Sequence, residues 1–130
     1  MRVLFVEDSE VNRRVVKEML RAGGIEMAEA EDGRVGLEMI AANDYDMILM
    51  DLRMPGMDGI TAIRHLRARD DDKARLPVIV ITADAGSNID DDCKAAGADD
   101  VLRKPVSMTS LFEAIAGLLA QRSDNAVLLT

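Results

Sequence analysis

Charged and hydroxyl-bearing side chains follow directly after four short apolar runs of this sequence. The five residues are Glu7 and Asp8 after the first run, Asp51 after the second, Thr82 after the third and Lys104 after the fourth. Carboxylates held close together repel one another, and a hard divalent cation that prefers oxygen ligands keeps them ionised. A hydroxyl and an ammonium group can stabilise phosphoryl oxygens during transfer. These residue types therefore indicate phosphoryl chemistry that depends on Mg²⁺.

Asp51 is the candidate nucleophile of this set. A carboxylate can attack phosphorus and carry the phosphoryl group as an aspartyl phosphate. Asp51 stands alone at the end of the central apolar run, whereas Thr82 and Lys104 are suited to hold the oxygens of the product.

Apolar runs of strand length alternate with segments of helical spacing along the chain. The predicted strands cover residues 2–6, 25–30, 46–50, 78–81 and 99–102. The predicted helices cover 10–22, 34–42, a segment around 60–66, a weaker segment between Ser87 and Gly97, and a last segment after Ser107. Two consecutive parallel strands must be joined by a right-handed crossover connection, which a helix can supply. The alternation of strands and helices therefore predicts a doubly wound α/β fold. The ligand site of such a sheet lies outside the carboxyl ends of its strands, where all five side chains are expected.

Polar residues at the ends of these segments are interpreted as caps and turns. Ser87 and Ser107 could cap the fourth and fifth helices, and short acidic side chains are expected in turns or caps at Asp32, Asp58, Asp99 and Asp100. The last helix is expected to bury Leu111, Phe112, Ile115, Leu118 and Leu119.

Length and charge limit the functions open to the chain. With 130 residues, we expect one domain at 1–121 followed by a tail at 122–130. The net charge of -8 and the lack of Lys/Arg runs argue against direct nucleic-acid binding. The sequence has no apolar stretch of membrane-spanning length, no signal-peptide pattern and one cysteine, Cys93. We therefore expect a cytoplasmic location and no membrane association.

Four motifs of the chain resemble those of response regulator receiver domains of two-component systems. They are VLFVEDSEVNR at 3–13, MILMDLRMPGMDG at 47–59, VIVITA at 78–83 and GADDVLRKP at 97–105. They occur in the right order, each at a predicted strand end, and the resemblance extends from Val3 to about Leu119. It implies a flavodoxin-like (βα)5 fold with five parallel strands in the order 2-1-3-4-5. The sequences of these motifs are most similar to those of receivers from hybrid sensor histidine kinases or of single-domain regulators.

The resemblance also implies a Mg²⁺ site. In such a site Asp8 and Asp51 would bind the ion directly, and Glu7 would act through a water molecule. The backbone carbonyl of Arg53 would complete the protein ligands.

The resemblance further implies that Asp51 takes a phosphoryl group from a phosphohistidine on a histidine kinase or a histidine phosphotransfer protein. Thr82 and Lys104 would grip the product, and the bond between Lys104 and Pro105 would be cis. The domain would not be an enzyme with an external substrate, because it would phosphorylate itself and lose the group slowly. It would act as a monomer or as a weak dimer that forms on phosphorylation.

The chain departs from the family pattern at Val101, where receivers carry a Tyr or Phe that rotates inward on signalling. We therefore expect the signal to travel through the loop Ala83–Ser87 and the fourth helix. Arg53 and Asp84 occupy the two variable positions that flank the site, and their opposite charges predict an ion pair across its mouth. Such a pair could impede the water that hydrolyses aspartyl phosphate.

The first helix is a candidate docking surface for a kinase. The resemblance implies that Asn12, Arg13, Arg14 and Val16 form that surface. An ordinary amphipathic helix would carry the same pattern, so the sequence leaves both interpretations open.

Three other functions compete with phosphoacceptor signalling. A pseudo-receiver would act as an interaction module without phosphorylation, but retention of the acidic, hydroxyl and lysine residues favours phosphorylation. A small phosphohydrolase would need a second Asp two residues beyond the nucleophile, where Arg53 stands. A flavin-binding domain of similar topology would need a Gly/Ser/Thr-rich first loop, and the acidic segment EDSEVN does not supply one.

Overall fold

The computed structural model describes residues 1–129, with side chains described through residue 122. Its strands are β1 (Arg2–Val6), β2 (Glu26–Ala30), β3 (Met47–Met50), β4 (Val78–Thr82) and β5 (Asp100–Arg103). Its α-helices are α1 (Glu10–Ala22), α2 (Gly33–Ala42), α3 (Gly59–Arg67), α4 (Ile89–Ala96) and α5 (Met108–Leu129), and a 3₁₀ turn covers Asp72–Arg75. Every predicted element is present, and the strand boundaries differ from the predicted ones by a residue at most.

The five strands form one parallel sheet in the order β2-β1-β3-β4-β5. This arrangement confirms the doubly wound α/β fold and the strand order 2-1-3-4-5. β3 and β4 are buried along their whole length, which explains their continuous apolar runs. One apolar layer lies between the sheet and helices α2, α3 and α4, and the other lies between the sheet and helices α1 and α5.

Three side-chain caps predicted from the sequence are present in the structure. Asp32 and Asp58 accept hydrogen bonds from backbone N–H groups in the first turns of α2 and α3. Ser107 accepts a hydrogen bond from the N–H of Ser110 at the start of α5. These three contacts confirm the predicted caps.

Two predictions about the last helices are wrong. Ser87 does not cap α4: the N-cap is Asn88, it makes no side-chain capping bond, and a backbone bond from Ile89 N–H to the carbonyl of Gly86 leads into the helix. Leu119 is 39% exposed because Leu118 faces the sheet, and the next residue of an α-helix points about 100° away.

Helix α5 continues past residue 121 to Leu129. The division of the chain at residue 121 therefore remains a prediction. None of the helices described through residue 129 combines the length and the apolar character that crossing a bilayer requires.

Candidate metal centre

The register of the sheet places two of the predicted site residues side by side. Val6 pairs with Met50, so Glu7 and Asp51 leave the neighbouring strands β1 and β3 at the same level. The N–H of Asp51 donates to the carbonyl of Val6 at 3.0 Å, which extends the ladder by one step. The backbone of the sheet therefore fixes the separation of these two acids.

Three carboxylates meet at this edge of the sheet. Oxygen atoms of Glu7, Asp8 and Asp51 lie within 4.8 Å of one another. Glu7 is 0% exposed and Asp51 is 4% exposed, whereas Asp8 faces solvent. Glu7 Oε2 is buried without a hydrogen-bond partner among the described residues. Two buried acids, an open third acid and an unpartnered oxygen suit a hard divalent cation that keeps some of its water.

Lys104 lies over the two buried acids. Its backbone N–H donates to the carbonyl of Thr82 at 2.8 Å, so the end of β5 is tied to the end of β4. Its Nζ lies 2.8 Å from Glu7 Oε1 and 3.5 Å from Asp51 Oδ1. The ammonium group is therefore within reach of any group carried by Asp51.

The charges of the cluster change the acidity of its members. Burial raises the pKa of Asp51 to about 7, and the neighbouring carboxylate of Glu7 adds to the rise. Burial also opposes ionisation of Glu7, but its interactions with Asp51 and Lys104 outweigh burial and lower its pKa. Burial disfavours the charged form of Lys104, yet its contacts with the two acids raise its pKa. A bound cation would favour the ionised form of both carboxylates.

The first turn of α1 holds Glu7, a role that the sequence did not reveal. Asn12 Nδ2 donates to Glu7 Oε1 at 2.6 Å, and Arg13 Nη1 donates to the Glu7 carbonyl at 2.5 Å. Ser9 caps the helix, and its Oγ accepts the N–H of Asn12 at 3.3 Å. The sequence signal for this role was Ser9, a typical N-cap residue. The side chain of the third residue after an N-cap, here Asn12, can reach back beyond the start of the helix.

Two glycines shape the loop that follows Asp51. Gly56 has φ +79°, a left-handed conformation that favours glycine. A Cβ on Gly59 would collide with the carbonyl oxygen of Asp51, so α3 can begin this close to the site only with glycine there. The start of α3 thereby supports the main chain of Asp51.

Thr82, Arg53 and Asp84 stand around the mouth of the site. Thr82 is 1% exposed, and its Oγ1 accepts the N–H of Asp84 at 3.0 Å. Arg53 Nη2 lies 2.7 Å from Asp84 Oδ2, which confirms the predicted ion pair. Ala83, just beyond Thr82, is exposed.

The remaining predicted positions lie on or next to β5. Val101 is partly buried and packs against the apolar layer that contains α4. The bond between Lys104 and Pro105 is cis, as expected. Arg103 Nη2 lies 2.6 Å from Asp90 Oδ1, so an ion pair links β5 to α4 beside Val101.

Comparison with known proteins shows the family to which the chain is similar. The family model described as response regulator receiver domain matches residues 3–116. The chain is 37% identical over 114 residues to chemotaxis protein CheY-3 of Vibrio cholerae, covering 87% of each protein. It is 36% identical to hybrid signal transduction histidine kinase G of Dictyostelium discoideum, covering 85% of this chain and 3% of that protein.

A solved structure is similar in both sequence and fold. It is the receiver domain of sensor histidine kinase PA1611 from Pseudomonas aeruginosa PAO1, whose active-site cleft coordinates a magnesium ion. The TM-score is 0.79 at 36% identity, covering 87% of this chain and 92% of that chain.

Proposed function

Because this chain belongs to the response regulator receiver domain family of two-component signalling, we propose that Asp51 is its phosphoacceptor. The observation that carries the proposal is the position of the Asp51 carboxylate, which is buried beside that of Glu7 and lies 3.5 Å from the Lys104 ammonium group. A nucleophile, an acidic metal site and a cation for the phosphoryl oxygens are thus within one side-chain length of one another.

The proposed reaction is transfer from a phosphohistidine. A carboxylate oxygen of Asp51 attacks phosphorus, the N–P bond breaks, and the imidazole nitrogen leaves with the electron pair. Lys104 and the hydroxyl of Thr82 hold the phosphoryl oxygens in the product. Later, slow attack by water on phosphorus breaks the bond to Asp51, releases inorganic phosphate and restores the carboxylate. The proposal includes no enzymatic turnover of an external substrate.

The acidic cluster is the proposed Mg²⁺ site. Asp8 and Asp51 supply carboxylate oxygens directly, Glu7 acts through a water molecule, and the backbone carbonyl of Arg53 is proposed as a further ligand. When bound, the ion offsets the negative charge of the phosphoryl group and of the carboxylates. The residues fit this role because one acid is open to solvent and one buried oxygen, Glu7 Oε2, has no hydrogen-bond partner among the described residues.

The proposed partner is a histidine kinase or a histidine phosphotransfer protein that docks beside α1. Val11 and Val15 are 68% and 47% exposed on this helix. Val15 and Pro105 line an apolar cavity of about 370 Å³ that reaches Lys104. Of the surface expected from the sequence, Val16 is buried and Arg13 is bound to Glu29, so the exposed valines replace them as contacts. Apolar groups next to the nucleophile would orient a partner helix that carries the phosphohistidine.

The proposed output is a change of shape that regulates a partner protein. The positions that would respond lie in the loop Ala83–Ser87, which follows Thr82, and in α4. The proposal includes a cytoplasmic location and either a monomer or a weak dimer that forms on phosphorylation. A pseudo-receiver that works without phosphorylation is the alternative.

Intact mass spectrometry after incubation with acetyl phosphate tests the proposal. The wild type should gain one phosphoryl group with Mg²⁺ and none with a chelator, and Asp51→Ala should gain none. Asp91→Asn, which neutralises an exposed acid on α4, should behave as the wild type. A wild type that gains no phosphoryl group in Mg²⁺ overturns the proposal and leaves the pseudo-receiver.

A further inference from the structure

Two donors bind the same oxygen of the buried Glu7 carboxylate. Asn12 Nδ2 lies 2.6 Å from Glu7 Oε1, and Lys104 Nζ lies 2.8 Å from it. The carboxylate is 0% exposed, and its second oxygen has no hydrogen-bond partner within the described part of the chain. In the absence of a bound cation, the ionised form of Glu7 therefore depends on these two contacts.

The two donors differ in what the proposed reaction demands of them. Lys104 is on a flexible stem 3.5 Å from Asp51 Oδ1, and it must face the phosphoryl oxygens once Asp51 carries the group. Asn12 is held by α1, because its N–H donates to Ser9 Oγ and the next residue, Arg13, is bonded to the Glu7 carbonyl. Asn12 can therefore remain on Glu7 when Lys104 gives its donors to the phosphoryl oxygens.

We infer that Asn12 is a positioning residue for the phosphorylated state, which it supports by keeping a donor on Glu7 while Lys104 binds the phosphoryl group. The inference rests on the proposed phosphorylation of Asp51. Without Asn12, engagement of Lys104 by the phosphoryl group weakens or removes the one remaining side-chain donor to Glu7 Oε1. The proposed cation would act at Oε2 and does not replace a donor at Oε1, and a buried charged oxygen without a donor is costly. In the resting state Lys104 still covers Glu7, so the loss falls mainly on the phosphorylated state.

Titration with beryllofluoride, a mimic of the acyl phosphate, separates the two states. The chain has no Trp, so binding is followed by amide chemical shifts at saturating Mg²⁺. Asn12→Leu removes the donor at similar volume and should weaken beryllofluoride binding about tenfold, the effect of one lost hydrogen bond to a charged group. Asn12→Gln keeps an amide donor and should recover part of the affinity. Glu18→Gln, an exposed site on the same helix, should match the wild type.

The outcomes distinguish a positioning role from a structural one. A hydrogen bond that only stabilises the fold would lower the melting temperature of metal-free Asn12→Leu and leave beryllofluoride affinity unchanged, and that result overturns the inference. Asn12→Ala carries the same expectation and replaces Asn12→Leu if the latter does not fold. If the wild type itself fails to bind beryllofluoride with Mg²⁺, the proposed function fails. If the wild type binds and the variants bind equally well, the role of Asn12 alone is rejected.

Discussion

Lys104 donates a hydrogen bond to Glu7 at 2.8 Å, and the two residues are 97 positions apart in the sequence. The bond joins the ends of β1 and β5, which are separated in the sheet by β3 and β4. Glu7 is fully buried and the Lys104 side chain is 21% exposed, so the pair lies largely out of water. Removing one partner of such a pair leaves a buried charge without its counter-charge.

Lys104→Met should therefore lower the free energy of unfolding by about 2–4 kcal/mol, since Asn12 still covers part of the Glu7 charge. The double variant Glu7→Gln with Lys104→Met should recover part of that loss, because Glu7 then carries no charge that can be left unpaired. Urea unfolding measures both, and Lys94→Met on α4 is the control, expected within about 0.5 kcal/mol of the wild type. Losses that simply add in the double variant would show that the two side chains do not interact.

The stability of the metal-free protein should fall as the pH rises from about 4 to about 7. The pKa of Asp51 is raised from 3.8 to about 7 in the folded state, mainly by burial. An acid whose pKa is higher in the folded state than in the unfolded state binds its proton more tightly when the protein is folded. Its contribution to the free energy of unfolding is therefore complete at a pH below the unfolded-state pKa, and it is lost as the pH rises through the folded-state pKa. Asp51→Asn has no such charge and should exceed the wild type at pH 8 by on the order of 2 kcal/mol.

Thermal unfolding at pH 5 and pH 8 in chelator measures this difference, which should shrink at the lower pH. Saturating Mg²⁺ at pH 8 should raise the melting temperature of the wild type more than that of Asp51→Asn, because the ion is bound by ionised carboxylates. The same pH dependence in both proteins would contradict the assignment of the titration to Asp51.

Gly59→Ala should destabilise the protein and slow its phosphorylation. A Cβ at this position collides with the carbonyl of Asp51, so either α3 or Asp51 must move, at a cost of roughly 1–3 kcal/mol. Gly86→Ala is the matched control, since its Cβ would lie no closer than 3.4 Å to any neighbour. Urea unfolding and the rate of phosphorylation by acetyl phosphate check both variants. A Gly59→Ala protein that reacts at the wild-type rate would show that the close approach does not position Asp51.

The strand ends were predictable from the sequence, whereas the contacts around them were not. Apolar runs that stop abruptly at Glu7 and Asp51 indicate buried parallel strands, and parallel strands must present their ends at one edge. The partnership of Asn12 with Glu7 depends on how the first turn of α1 is rotated, which no periodicity reports. The start of α4 was misjudged at Ser87 because a backbone turn, and not a side chain, leads into that helix.

Arg53→Ala should shorten the lifetime of the aspartyl phosphate. The Arg53 side chain reaches Asp84 at 2.7 Å, and we expect this pair to impede the approach of water to a phosphoryl group on Asp51. The arginine is 79% exposed, so its ion pair with Asp84 is weak, and the acceleration of hydrolysis should be a few-fold at most. Loss of radiolabelled phosphate from purified protein gives the rate. Asp84→Ala frees the same side chain and should act alike, and an unchanged half-life in both variants would reject the shielding role.

Val101 leaves β5 without a large ring, so the response to phosphorylation should be concentrated between β4 and α4. Thr82 is the link: its Oγ1 accepts the N–H of Asp84, so rotation of Thr82 towards a phosphoryl group disturbs the start of the loop Ala83–Ser87. Amide hydrogen exchange with and without beryllofluoride should change across this loop and in the first turn of α4, with a smaller change around Val101. Asp51→Ala, which lacks the acceptor, should show no change. Equal protection of the loop in both states would mean that the signal leaves the site by another path.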